Sequence, residues 1–201
     1  MRRLLVTGFA VLAVLVPAVL VAFTVGTSAL DSGRARSNQD SDRDGRFDLK
    51  CRDGDYVERV ELSGANWGTY PALEQVMLHC DPYIDNPSFG QIGGTAPVHN
   101  IEECRNGSHP ALTGLKVAHD RYIKDFQLRC GDVTGSGNQV RIENYGFSGE
   151  WMLGLVQNND TKTNLTCGAN QVMTGLRLRY KADRDETAVT SVQLFCATVR
   201  S

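Results

Sequence analysis

The stretch "DETAVTSVQLFC", residues 185–196, ends in an apolar alternation that runs into a cysteine. Two earlier stretches end the same way: "PALEQVMLHC" at Cys80 and "RYIKDFQLRC" at Cys130. Two residues before each closing cysteine stands Leu78, Leu128 or Leu194; four before stands Val76, Phe126 or Val192; seven before stands Leu73, Ile123 or Val189. Apolar side chains at alternate positions describe a strand with one buried face. Counted forward from the opening cysteines, Val60 and Leu62 after Cys51 sit at the offsets of Leu176 and Leu178 after Cys167, and Leu115 and Val117 follow Cys104 two residues later. The unit is a cysteine, a turn, a strand, a polar loop and a second strand ending in cysteine, written three times.

The separations within the three copies are 29, 26 and 29 residues. Six cysteines allow about 15 connectivities. Equal spacing makes the within-copy pairing the economical one: Cys51–Cys80, Cys104–Cys130 and Cys167–Cys196. Each bridge would stabilise the fold by roughly 3–4 kcal/mol on the chain-entropy model. Zinc is disfavoured, because neither Cys-x-x-Cys nor a paired-histidine spacing occurs.

One copy cannot bury its apolar face alone, so a repeat of this length calls for a symmetric assembly. Three small antiparallel sheets can turn those faces onto a common axis. The expectation is an all-β domain over residues 47–201. "FDLKC" before the first copy reads as a strand, and the spacers supply others through "GQIGGTAPVHNIEEC" and "NQVRIENYGFSGEWMLGLVQ". In the second spacer Val140 and Ile142 alternate, as do Trp151, Leu153 and Leu155.

Between Arg3 and Asp31 the chain carries no charge. A basic start, an apolar run and the small residues Thr27-Ser28-Ala29 read as a secretory signal over residues 1–29, followed by a polar linker over 30–46. The apolar run is also long enough to span a bilayer if left uncleaved, so a membrane is a partner only in that case. All six cysteines lie beyond it, which fits an oxidising compartment and a secreted, extracellular protein. A net charge of −2 gives no electrostatic case for nucleic acid.

"GANQVMTGLRLRYKADRDETAVTSVQLFC", residues 168–196, resembles the repeat of the vitelline membrane outer layer protein I family, in which an acidic turn ending Thr-Ala separates two strands; Asp185-Glu186-Thr187-Ala188 matches that turn. The resemblance covers about residues 47–198 and implies a β-prism: three Greek-key antiparallel sheets with pseudo-threefold symmetry, held by disulfides. It also implies a non-enzymatic protein of extracellular coats or secretions, with carbohydrate of the N-acetylglucosamine-oligomer type as partner. The chain is similar as well to dermatopontin-like matrix proteins, through Asp42-Arg43, Asp120-Arg121 and Asp183-Arg184, which would make matrix components the partner.

Sugar binding uses exposed aromatic rings beside amide and carboxylate groups. Asn66, Trp67 and Tyr70 in "SGANWGTYP" suit it best. Asn106, Asn159 and Asn164 open N-glycosylation sequons, relevant in a eukaryotic host. Catalytic residues are not expected: the histidines are scattered, and Glu102-Glu103 and Asp185-Glu186 are adjacent pairs that a strand would turn to opposite faces. A glycan-acting enzyme is the alternative. Asp40, Asp42, Asp44 and Asp48 around Gly45 imitate a calcium loop, but Cys51 stands where its bidentate Glu belongs. Neither metal nor cofactor is expected.

Overall fold

The computed structural model describes residues 24–26, 29–30, 33–81, 87–90, 95–135, 140–183 and 186–200. Three long hairpins form its frame. They are β5 (Tyr56–Trp67) with β6 (Tyr70–Asp81), β9 (Pro110–His119) with β10 (Ile123–Thr134), and β13 (Gln171–Asp183) with β14 (Glu186–Arg200). The repeated apolar positions decide which face turns inward. All fifteen residues named above at the opening and closing offsets are fully buried. They join one core in which β6, β10 and β14 touch pairwise, as do β5, β9 and β13. The three disulfides pair within copies, as the spacing predicts.

Each hairpin gains an outer strand on either side. One sheet runs β8 (Thr95–Glu103)–β5–β6–β7 (Ser88–Phe89), and a second runs β12 (Thr161–Thr166)–β9–β10–β11 (Arg141–Phe147). Both follow the spatial order 4-1-2-3 of a Greek key. In the remaining sheet the order is closed through the N-terminal part of the chain. There β4 (Gly45–Lys50) pairs with β13, while β1 (Thr24–Val25), β2 (Ala29–Leu30) and β3 (Ala35–Arg36) pair with β14.

The ring closes by one repeated contact. The strand leading into each opening cysteine pairs with the hairpin of the preceding copy, and the first leads back onto the third. The N–H of Cys104 donates to Glu58 (3.1 Å), that of Cys167 to Thr113 (2.9 Å) and that of Cys51 to Thr174 (2.9 Å). Glu58, Thr113 and Thr174 are equivalent β-bulges, each freeing a carbonyl for this bond. A second set of bulges lies six residues before each closing cysteine, at Glu74, Lys124 and Thr190, all three buried.

The structure corrects two expectations. Residues 33–44 are not a free linker: Ser37 donates its N–H to Thr190 (2.9 Å), Asn38 to Asp120 (2.7 Å), and Arg34 binds Asp40 and Ser191. This segment straps β14 to the tip of the β9–β10 hairpin. The alternation at Trp151, Leu153 and Leu155 does not make a strand either. The buried Asp125 carboxylate takes the N–H groups of Leu153 (2.9 Å) and Leu155 (3.3 Å), which removes them from any ladder. Of the expected leader, residues 1–23, 27 and 28 lie outside the described residues. So do Arg184 and Asp185, which follow β13 in the sequence.

Candidate carbohydrate cleft

The hairpin tips gather at the pole opposite the disulfides. At this pole an open cleft of about 410 Å³ lies between the first and third copies. Its lining comes from three places: Arg43, Asp44 and Gly45 ahead of and opening β4, Trp67 at the end of β5, and Tyr180 to Asp183 at the end of β13.

Local packing sets each wall. Tyr180 is paired with Gly45, and a Cβ there would come within 2.6 Å of the Tyr180 ring, so the ring lies flat on bare backbone. Phe89 backs the same ring at 4.6 Å and 55°. Trp67 is half-buried and packs its other side against Tyr122, with ring centroids 6.2 Å apart. Asp44 closes a turn by accepting Ser41 N–H (3.2 Å) and the Thr190 hydroxyl (2.7 Å). Lys181 donates to the Gln39 side chain (3.2 Å). Trp67 and Tyr180, with Arg43, Asp44, Lys181 and Asp183, thus border one open space.

The pseudo-threefold axis repeats this location twice, but the equivalents differ. The position matching Tyr180 is Gly64 in the first copy, where Leu153 and Leu155 pack within 3.0 Å of a would-be Cβ. In the second copy it is His119, which is buried and meets Thr163 at 2.8 Å. An aromatic ring on a glycine occurs at this position only in the third copy.

Of the three residues expected to meet sugar, Trp67 lines the cleft. Asn66 sits beside it, opposite Pro71, and Tyr70 is 42 % exposed with the Arg121 guanidinium 4.2 Å from its ring centre. Tyr180, Lys181 and Arg43 were missed, because they join Trp67 only through the ring closure of β4 on β13. The sequons Asn106, Asn159 and Asn164 are all exposed. Two of the scattered histidines converge: His79 and His99 approach Glu61 at 3.3 and 2.8 Å on an outer sheet face.

The four aspartates of the calcium-like motif go to separate partners. Asp40 binds Arg34, Asp42 binds Arg179, Asp44 caps its turn, and Asp48 makes a two-pronged pair with Arg177 at 2.7 Å. The hydrogen bond from Arg177 holds the Asp48 carboxyl below its ordinary range.

Comparison with solved structures bears on the architecture. The chain matches the Calystegia sepium agglutinin with a TM-score of 0.51 at 12 % identity, covering 86 % of this chain and 97 % of the agglutinin. The chain folds as a β-prism. A Calsepa lectin in complex with a bisected glycan matches at TM-score 0.46 and 13 % identity over 85 % and 98 % of the two chains. The mosquito-larvicidal Cry4Aa toxin from Bacillus thuringiensis matches at 0.45 and 9 % over 73 % of this chain and 27 % of the toxin. No family model matches the chain, and no curated protein matches it.

Proposed function

We propose that this prism is a secreted carbohydrate-binding protein of an extracellular coat or matrix, without catalytic activity. The observation that carries the reading is the open cleft between Trp67 and Tyr180, at the one threefold-related position that pairs an aromatic ring with bare glycine backbone. A pyranose offers an apolar face to stack on a ring and hydroxyls to bond at its edge, and such sites combine aromatic walls with a few polar groups. Trp67 and Tyr180 supply the walls; Asp44, Asp183, Lys181 and Arg43 supply the edge. Asn66 precedes Trp67 on β5, and Tyr70 is the residue paired with Trp67 across the hairpin. The repeat's likeness to the vitelline membrane outer layer protein I family supports N-acetylglucosamine oligomers as the ligand class.

Secretion rests on the N-terminal signal and the three disulfides. A cut after Ala29 would leave β3 and the strap in place, so the mature chain keeps the closed third sheet. Modification at Asn106, Asn159 and Asn164 is open sterically in a eukaryotic host. A glycan array run beside a turnover assay tests the function. Binding to N-acetylglucosamine oligomers without hydrolysis is the expected result. Release of reducing ends would make it a glycan-acting enzyme, and absence of binding to any array member would remove the reading.

A further inference from the structure

The outer face of the sheet formed by β4, β13 and β14 carries more cations than carboxylates. Directly paired residues share a face. The pairs Lys50–Gly175–Phe195, Asp48–Arg177–Gln193 and Arg46–Arg179, with Arg36 opposite Ser191 and Lys181 opposite Ala188, therefore stand on one side. This face carries six cations, Arg36, Arg46, Lys50, Arg177, Arg179 and Lys181, against four described carboxylates, Asp40, Asp42, Asp48 and Asp183. The whole chain has a net charge of −2, so the excess is local.

The pairing on this face leaves positive charge uncommitted. Asp48 is held by Arg177 and Asp42 by Arg179. Arg46, Lys50 and Lys181 have no carboxylate partner among the described residues; Lys181 meets only an amide, and the Lys50 ammonium sits 3.9 Å from the centre of the Phe195 ring. Arg177 covers the same ring from 5.3 Å. The outer face of the β8–β5–β6 sheet, by comparison, sets Arg59 against Glu61 and Glu103.

We propose that this face, centred on Arg46 and Lys50 and meeting the Trp67 cleft only at Lys181, is a docking surface for a sulfated or carboxylated linear polysaccharide. Guanidinium and ammonium groups in a flat, regularly spaced array match a chain of anionic groups, and Arg meets sulfate or carboxylate through two parallel bonds. Two other polyanions fit less well. A membrane surface favours apolar side chains that enter the acyl boundary, but Phe195 is only 3 % exposed beneath its cations. Single-stranded nucleic acid needs exposed rings on which bases stack, and among the described residues this face has none.

The test uses the full mature chain with dextran sulfate, neutral dextran, anionic phospholipid vesicles and DNA as probes. Dextran sulfate is expected to bind and to weaken steeply with salt, while neutral dextran does not bind. The double variant Arg46→Glu/Lys50→Glu is expected to lose at least about tenfold in affinity. The control Lys116→Glu/Lys162→Glu, on the outer face of the β12–β9–β10 sheet, and Trp67→Ala should each leave binding unchanged. Equal loss in the control, or tighter binding to vesicles or DNA than to dextran sulfate, would overturn the assignment. Circular dichroism and an intact disulfide map for each variant separate lost binding from lost folding.

Discussion

The ammonium of Lys124 and the carboxylate of Asp160 form an ion pair buried from solvent, and the threefold axis relates it to the hydrogen bond from Thr190 to Asp44. In both copies the acid stands just ahead of an outer strand and closes a turn. Asp160 takes Gln157 N–H (2.6 Å) as Asp44 takes Ser41 N–H. In both, the donor is the residue pushed inward by the bulge six before the closing cysteine. A polar side chain at a bulge thus clamps the next copy's strand onto the ring. Breaking a buried pair by removing one partner leaves an uncompensated charge. Lys124→Met should therefore cost roughly 3–5 kcal/mol in urea unfolding. The double variant Lys124→Met/Asp160→Asn should recover much of that loss. A single variant as stable as wild type would show that the pair does not hold the strand.

Asp125 gives the fold a measurable pH dependence. It is fully buried, and burial pushes its carboxyl up to about 6, although the backbone N–H groups of Leu153, Phe126 and Leu155 pull the other way. In the unfolded chain an aspartate ionises near 4. Between those values the folded state binds more protons than the unfolded one, so this group's contribution to stability falls as pH rises from about 4 to about 6. The difference amounts to about 3 kcal/mol. Asp125→Asn should remove that component from the stability curve measured across the window. A variant whose pH dependence parallels wild type would contradict the assignment.

Gly175 lets the ring close. A Cβ there would lie 2.2 Å from the carbonyl oxygen of Leu49, and one on the equivalent Gly114 would lie 2.4 Å from that of Leu165. The obstacle is backbone on a paired strand, which cannot turn aside as a side chain can. Gly175→Ala should destabilise by about 1–3 kcal/mol, the usual cost of overpacking, and hydrogen exchange should quicken first in β4. Unchanged protection in β4 would mean that the approach is looser than described.

Calcium should bind no more tightly than about millimolar at residues 40–48, because three of the four carboxylates are engaged by arginines and the fourth caps a turn. Titration calorimetry on the mature chain decides this. A micromolar isotherm abolished by Asp44→Ala would make the segment a genuine site.

The core was legible because the repeat states it three times, and each apolar position at a fixed distance from a cysteine is buried. The bulges were legible in principle. Apolar positions two and four residues before the cysteine share a parity that the position seven before breaks, and a strand can change parity while keeping its buried face only by inserting a residue. The N-terminal strap was not legible. Its one strand, β3, is two residues long, too short for periodicity, and it exists because β14 offers an edge and Arg34 finds Asp40 and Ser191. Trp67 stood out as an aromatic residue among glycines. Its cleft partner Tyr180 did not, since that pairing depends on which strand closes the ring.

The most direct test of the sugar-binding cleft uses the emission of Trp67 alone. The chain has two tryptophans, so Trp151→Phe leaves a single reporter at the site. Titration of this variant with N-acetylglucosamine oligomers should change the intensity and wavelength of Trp67 emission in a saturable way, and Tyr180→Ala should abolish the change while the three disulfides remain intact. Saturable binding by calorimetry with Trp67 emission unaltered would place the sugar elsewhere and contradict the account.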